Sequence, residues 1–164
     1  MLERTIPVGG TVRLQTDANP SAPVVTGWAR ADCSGPIKAS ALFRDYPRGV
    51  AAGEASVIAM TSGARNFITF ADQLTGVAYA NPSIEPAEIT FTASDLNGGF
   101  VGTKPIILSP NAHGSQNLGP LLGVGDFKGS LRISSSVPII SLSVNYEAAP
   151  VFSSLPPGEE EPIQ

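Results

Sequence analysis

Gly27 to Ile37 reads GWARADCSGPI, and Gly129 to Ile139 reads GSLRISSSVPI. Both follow Gly-x-x-Arg-x-x-x-Ser-x-Pro-Ile with no gap. Proline cannot donate to a sheet ladder, so it belongs at the start of a strand or in a turn, and Pro-Ile after a Ser-containing run predicts a hairpin whose return strand begins there. The stretch Gly76 to Ser94, with Asn81-Pro82-Ser83 at its centre, predicts a third hairpin. The two repeated stretches differ in one respect. Their first strands agree in facing (Ala29 and Ala31 against Leu131 and Ile133), whereas the return strands place Ile37, Ala39, Ala41 and Phe43 in one phase and Ile140, Leu142 and Val144 in the other. A one-residue slip reverses a strand's faces, so either a bulge intervenes or the likeness is convergence on one hairpin solution.

Outward from these hairpins the chain reads as strands throughout. Thr11 to Thr16 alternates apolar and polar residues, and so does Ala87 to Ser94, where Ile89, Phe91 and Ala93 oppose Glu88, Thr90 and Thr92; a sheet with one wet face is expected. Ala55 to Met60, Asn66 to Ala71, Lys104 to Leu108 and Val151 to Leu155 add short strands, and Asn97-Gly98-Gly99 supplies residues that tolerate positive φ in a turn. Only Ser109 to Leu122 carries helix spacing, through Leu118, Leu121 and Leu122, with Asn111 as the expected cap and Gly114, Gly119 and Pro120 limiting it to a turn or two. The fold class predicted is all-β: a sandwich of two mainly antiparallel sheets, about ten short strands and one short helical cap. Residues 1–157 are expected to form a single domain, and residues 158–164 an acidic, Pro-containing linker or tail.

Composition narrows the function. Charged residues make up 15% of the 164, below the ~25% of an average domain, so Ser, Thr, Asn and Gly must form much of the surface. With a formal net charge of −4 and scattered Lys and Arg, there is no basic stripe for nucleic acid. No apolar run approaches the ~20 residues of a membrane span, and Met1-Leu2-Glu3-Arg4 leads into strand-like sequence without the apolar core of a signal peptide. The single cysteine, Cys33, forbids an internal disulfide; Ser135 occupies the matching position of the second repeat, which favours a packed thiol over a nucleophile.

Little in the chain points to catalysis or to a cofactor. His113 is the one histidine, and no Gly-x-Ser-x-Gly elbow accompanies it. Asp95-Leu96-Asn97-Gly98-Gly99 opens like a calcium loop, but Ile106 stands where an EF-hand needs glutamate, so a hairpin turn is expected there. Calcium in loops bearing Asp45, Asp72 or Asp126 stays open. No catalytic residue, cofactor or metal site is assigned. The residues singled out for ligand binding are Trp28, Arg30 and Asp32, alternating along one strand face, with Tyr46 or Tyr79 as further aromatic surface. An aromatic flanked by hydrogen-bonding groups stacks on a sugar ring or a partner protein if exposed, and packs under a loop, with Arg30 against its ring, if not.

The stretches TGWARADCSGPIKASALFR, TGVAYANPSIEPAEITFTASDLNGG, ILSPNAHGSQNLGPLL, FKGSLRISSSVPIISLSVNY and VFSSLPP, in that order, resemble a module found singly or in tandem in large secreted bacterial proteins. The resemblance runs from about Pro7 to Pro157 and departs from the usual pattern at Asp32-Cys33. It implies an extracytoplasmic β-sandwich and carries no catalytic residues over. The function expected is a non-enzymatic extracellular or cell-surface module, a structural spacer or adhesion unit of a larger bacterial protein, with a protein or polysaccharide at the cell surface as partner. Two alternatives stand beside it: a carbohydrate-binding module using an exposed aromatic face, and a self-assembling surface or filament subunit. For the latter the uncharged strand Ile139 to Val144 is either central or an interface edge.

Overall fold

The computed structural model describes residues 2–16, 27–45, 53–148, 151–155 and 158–159. The chain is an all-β sandwich, as expected, organised around one strand that belongs to both sheets. In chain order the elements are β1 (Ser40–Asp45), β2 (Gly53–Ile58), β3 (Ala64–Asp72), β4 (Gly76–Ala80), β5 (Ala87–Asp95), β6 (Phe100–Leu108), β7 (His113–Asn117), α1 (Leu118–Leu122), β8 (Lys128–Ala148), β9 (Val151–Leu155) and β10 (Gly158–Glu159). The first half of β8 lies between β3 and β5, with β10 outside β3 and β6 outside β5. Its second half lies between β4 and β9, with β7 outside β4. β1 and β2 form a separate ribbon, attached where the Ser154 hydroxyl donates to the Ser56 carbonyl. Every ladder is antiparallel.

The repeated stretch does not make hairpins. In the second repeat, β8 runs on for 21 residues through Ser136, Val137 and Pro138. Its partners change there: pairing with β5 ends at Ile89 opposite Ser135, pairing with β4 begins at Ala80 opposite Ile140, and the β3 ladder skips from Asn66/Ser134 to Ala64/Ile139. A strand that passes from one sheet to the other needs a position with no ladder donor, and proline has none. The gap is filled by side chains instead, since the Glu88 amide donates to Ser136 Oγ at 2.9 Å and the Arg65 guanidinium donates to the Ser136 carbonyl.

The other two expected hairpins are likewise corrected. β4 and β5 do not pair with each other; Asn81 to Pro86 carries the chain across from one sheet to the other. Gly27 to Ala39 contains no strand, and β1 pairs with β2; residues 17–26 lie outside the described residues. A hairpin does form from β5 to β6, where Gly98 adopts φ 82° and Asp95 Oδ1 accepts the amides of Asn97 and Gly99, both at 2.8 Å. The carboxylate there closes a turn. The helical segment keeps to the turn or two expected, five residues in α1, but its N-cap is Asn117; Asn111, expected as the cap, takes a left-handed φ of 58° in the turn before β7.

No phase slip occurs in β8. Leu131, Ile133, Val137, Ile139, Ser141, Ser143 and Asn145 all point inward, while Ile140, Leu142 and Val144, expected as the apolar inner set, are half-buried on the other side. Phe67, Ile89, Phe91, Leu131, Ile133, Ile139 and Val77 are fully buried between the sheets, and each such side chain contributes about 1.5–3 kcal/mol relative to exposure. Two sheet edges differ in character. β6 places Lys104 and Pro105 in its length, both exposed, the protection that edge strands ordinarily carry. β7, sequence HGSQN, pairs with β4 among the described residues and has neither proline nor a residue of Asp, Glu, Lys or Arg type.

Candidate functional site

Trp28 sits at a surface corner. Its ring is half-buried, and its indole N–H donates to the Asn111 carbonyl at 3.1 Å. That carbonyl belongs to the β6–β7 turn, which is fastened to the β4–β5 crossing by two backbone bonds, Asn111 N–H to the Asn81 carbonyl and Asn81 N–H to the Ala112 carbonyl, both at 2.9 Å. Asn81 completes the corner. Fully buried, it donates through Nδ2 to the carbonyls of Glu85 (2.7 Å), Leu108 (3.2 Å) and Ser109 (3.3 Å) and accepts at Oδ1 from the Ser83 amide (3.0 Å) and hydroxyl (2.7 Å). One amide thus ties three loop carbonyls together.

The remaining expected ligand residues do not gather around Trp28. Arg30 and Asp32 form an ion pair with each other at 3.1 Å, both side chains largely exposed; a pair in that setting is worth about 0–1 kcal/mol. Their segment is not a strand, so the shared strand face expected for Trp28, Arg30 and Asp32 is absent. Cys33 is exposed rather than packed. Tyr46 lies outside the described residues. Tyr79 is 4% exposed, with its ring tilted against Phe91 at a centroid distance of 5.2 Å and its hydroxyl accepting from Gln116 Nε2 at 2.9 Å. It is a core residue with a polar tip.

Burial pushes the Tyr79 phenol above its ordinary 10.0, opposed in smaller measure by the Gln116 hydrogen bond. The folded state therefore holds this proton after the unfolded chain has released it. Stability from Tyr79 is intact below about pH 10 and falls as pH rises through the folded value. Urea unfolding of wild type and Tyr79→Phe between about pH 9 and 11 checks this, the expected result being a shallower loss of stability in the variant above pH 10.

The surface that sequence analysis passed over is the outer face of the β3–β8–β5–β6 sheet. Register places Thr103, Thr92, Arg132 and Ile68 in one row, Pro105, Thr90, Ser134 and Asn66 in the next, and Phe100, Ser94, Ser130 and Phe70 in a third. Thr92 and Thr103 hydroxyls meet at 3.3 Å. The face is hydroxyl-rich, with Phe70 and Phe100 exposed at opposite ends of one row. Alternation of Glu88, Thr90 and Thr92 announces a wet face, but the neighbouring rows emerge only once β8 is known to be shared.

Among the described residues no group of three or more His, Cys, Asp or Glu side chains is placed to hold a metal ion, and no helix is long and apolar enough to cross a membrane. His113 opens β7 opposite Ala80, five residues before α1. Comparison with protein-family models, with curated proteins and with solved structures finds no match.

Proposed function

We propose that the chain is a non-enzymatic module of a larger extracellular or cell-surface protein, acting as a structural spacer or adhesion unit. The observation that supports this reading best is the continuity of β8: one 21-residue strand is hydrogen-bonded on both sides in each half, to β3 and β5 and then to β4 and β9. Pulling on such a strand loads two sheets at once, so the ladders resist together. The broad hydroxyl face of Thr90, Thr92, Thr103, Ser130 and Ser134 suits an adhesive surface, since each hydroxyl can both donate to and accept from polysaccharide or protein. After β10, the acidic, Pro-containing sequence Glu160-Glu161-Pro162 suits a connection to a further domain.

Force spectroscopy on the chain inserted in a polyprotein tests the spacer role. The expected trace is one cooperative rupture that releases on the order of 300 Å for Ala64 to Leu155, at about 3.5 Å per residue. Gradual strand-by-strand extension at low force would remove the mechanical reading.

A further inference from the structure

We propose that the inner side of β8 binds a water molecule, bridging Ser143 Oγ and Asn145 Oδ1 where the strand lies between β4 and β9. Among the described residues three buried side-chain oxygens make no hydrogen bond: Ser135 Oγ, Ser143 Oγ and Asn145 Oδ1. Two of these stand at successive inward positions of one strand. Ser143 is fully buried and Asn145 is 9% exposed, so bulk solvent does not satisfy either oxygen. Buried polar groups in folded proteins are nearly always paired, with protein or with an ordered water, and an orphan calls for one or the other. Ser141, the preceding inward residue, takes the first course: its hydroxyl donates to the Ala78 carbonyl of β4 at 3.2 Å. Ser143 Oγ and Asn145 Oδ1 leave the second.

The spacing fits a single water. Residues two apart on a strand are separated by about 6.7 Å along it and share a face, and a water bonded to both oxygens spans about 5.6 Å, twice a hydrogen bond of about 2.8 Å. The remainder is within reach of the longer Asn145 side chain. The chemistry fits as well, because an amide oxygen only accepts while a hydroxyl both donates and accepts, so a water can give to Asn145 and either give to or take from Ser143. An apolar occupant would leave both oxygens unpaired, and an ion would want charged ligands where these two residues are neutral. The way in runs along β9. Asn145 pairs with Ser153, whose side chain is exposed, whereas Ser143 pairs on its other side with Val77, which is 1% exposed and closes the core there. Ser135 Oγ differs from the other two: the residues two positions to either side of it are the apolar Ile133 and Val137, so its own side of the strand offers no second oxygen to share a water.

Crystallography of the wild-type chain tests the proposal directly, the expected result being density for one water within about 2.7–3.2 Å of both oxygens. Thermal unfolding of Ser143→Ala and Asn145→Leu supplies a second readout, since each variant removes one of the two oxygens. If the bridge is present, each change deprives the water of a partner and lowers Tm by about 2–4 °C, the shift that one lost hydrogen bond produces in a chain of this size. The double variant should lose less than the sum, because the second change acts on a bridge already broken. If the site is dry, Ser143→Ala instead relieves an unpaired buried hydroxyl and Tm rises. Density at one oxygen alone or at neither, a Tm that holds or rises in Ser143→Ala, or losses that add in full would each overturn the proposal.

Discussion

Replacing Gly129 by alanine is expected to destabilise the sandwich by about 3 kcal/mol or more, the upper end of what overpacking costs, while the same change at Gly27 leaves stability within about 0.5 kcal/mol. The two glycines open the two repeats, yet their surroundings differ completely. A Cβ on Gly129 would lie 1.9 Å from the Ser94 carbonyl oxygen and within 2.8 Å of the Asp95 backbone; a Cβ on Gly27 would meet nothing within 4 Å. The obstacle at Gly129 is main chain. β5 and β3 flank this residue through the pairs Asp95/Gly129 and Ala71/Gly129, so neither neighbour can withdraw without opening its ladder. Urea unfolding of the two variants decides the matter, and a Gly129→Ala midpoint equal to wild type would show that the close approach of β8 to β5 is wrong.

That contrast also explains why one pattern in the sequence serves two structures. Gly-x-x-Arg-x-x-x-Ser-x-Pro-Ile marks a position without a ladder donor, which is met in β8 where the strand changes sheet and in the first copy within the strandless Gly27 to Ala39. The difference lies in what is missing. The real hairpin between β5 and β6 contains Asn97-Gly98-Gly99, with Gly98 at positive φ, whereas Ser134 to Pro138 has no Gly or Asn to take that conformation. An extended path through Pro138 was therefore available from the sequence, given attention to positive φ as well as to proline.

Individual strands were legible because alternation is local: Ile89, Phe91 and Ala93 are buried as their spacing predicts. Strand partners were less so. β8 pairs with β3, β4 and β5, all distant in sequence, and long-range pairing leaves no periodic mark. Tyr79 and Trp28 illustrate the same limit at the candidate site. Tyr79 falls on the inner side of β4 because β4 belongs to the sheet that faces Phe91, and the acceptor for the Trp28 indole is the carbonyl of Asn111, 83 residues away. Polarity at β8 was also hidden. Ser141, Ser143 and Asn145 occupy the inward side that apolarity would assign to Ile140, Leu142 and Val144.

Asn81→Asp is the second change of large effect, because it keeps the shape of the side chain and inverts its hydrogen-bonding sense. The Nδ2 group donates to the carbonyls of Glu85, Leu108 and Ser109; an oxygen in its place would face three acceptors with no proton to offer. A buried donor lost from such a network costs about 1–3 kcal/mol for each acceptor left unpaired, and charge-bearing oxygen adds to it. The expected loss at pH 7 is on the order of 3 kcal/mol, or about 10 °C in Tm for a chain of this size. Protonation relieves part of the loss by restoring one donor, so the introduced carboxyl has its folded pKa raised above the ordinary ~3.9. The sign follows from linkage: stability recovered at low pH is lost as pH rises through the folded value. Thermal unfolding of wild type and Asn81→Asp at about pH 4 and pH 7 should therefore show the smaller gap at the lower pH. Equal gaps at both would mean that the side chain escapes to solvent, and that the corner joining the β4–β5 crossing to the β6–β7 turn, which holds Trp28, rests on its backbone bonds alone.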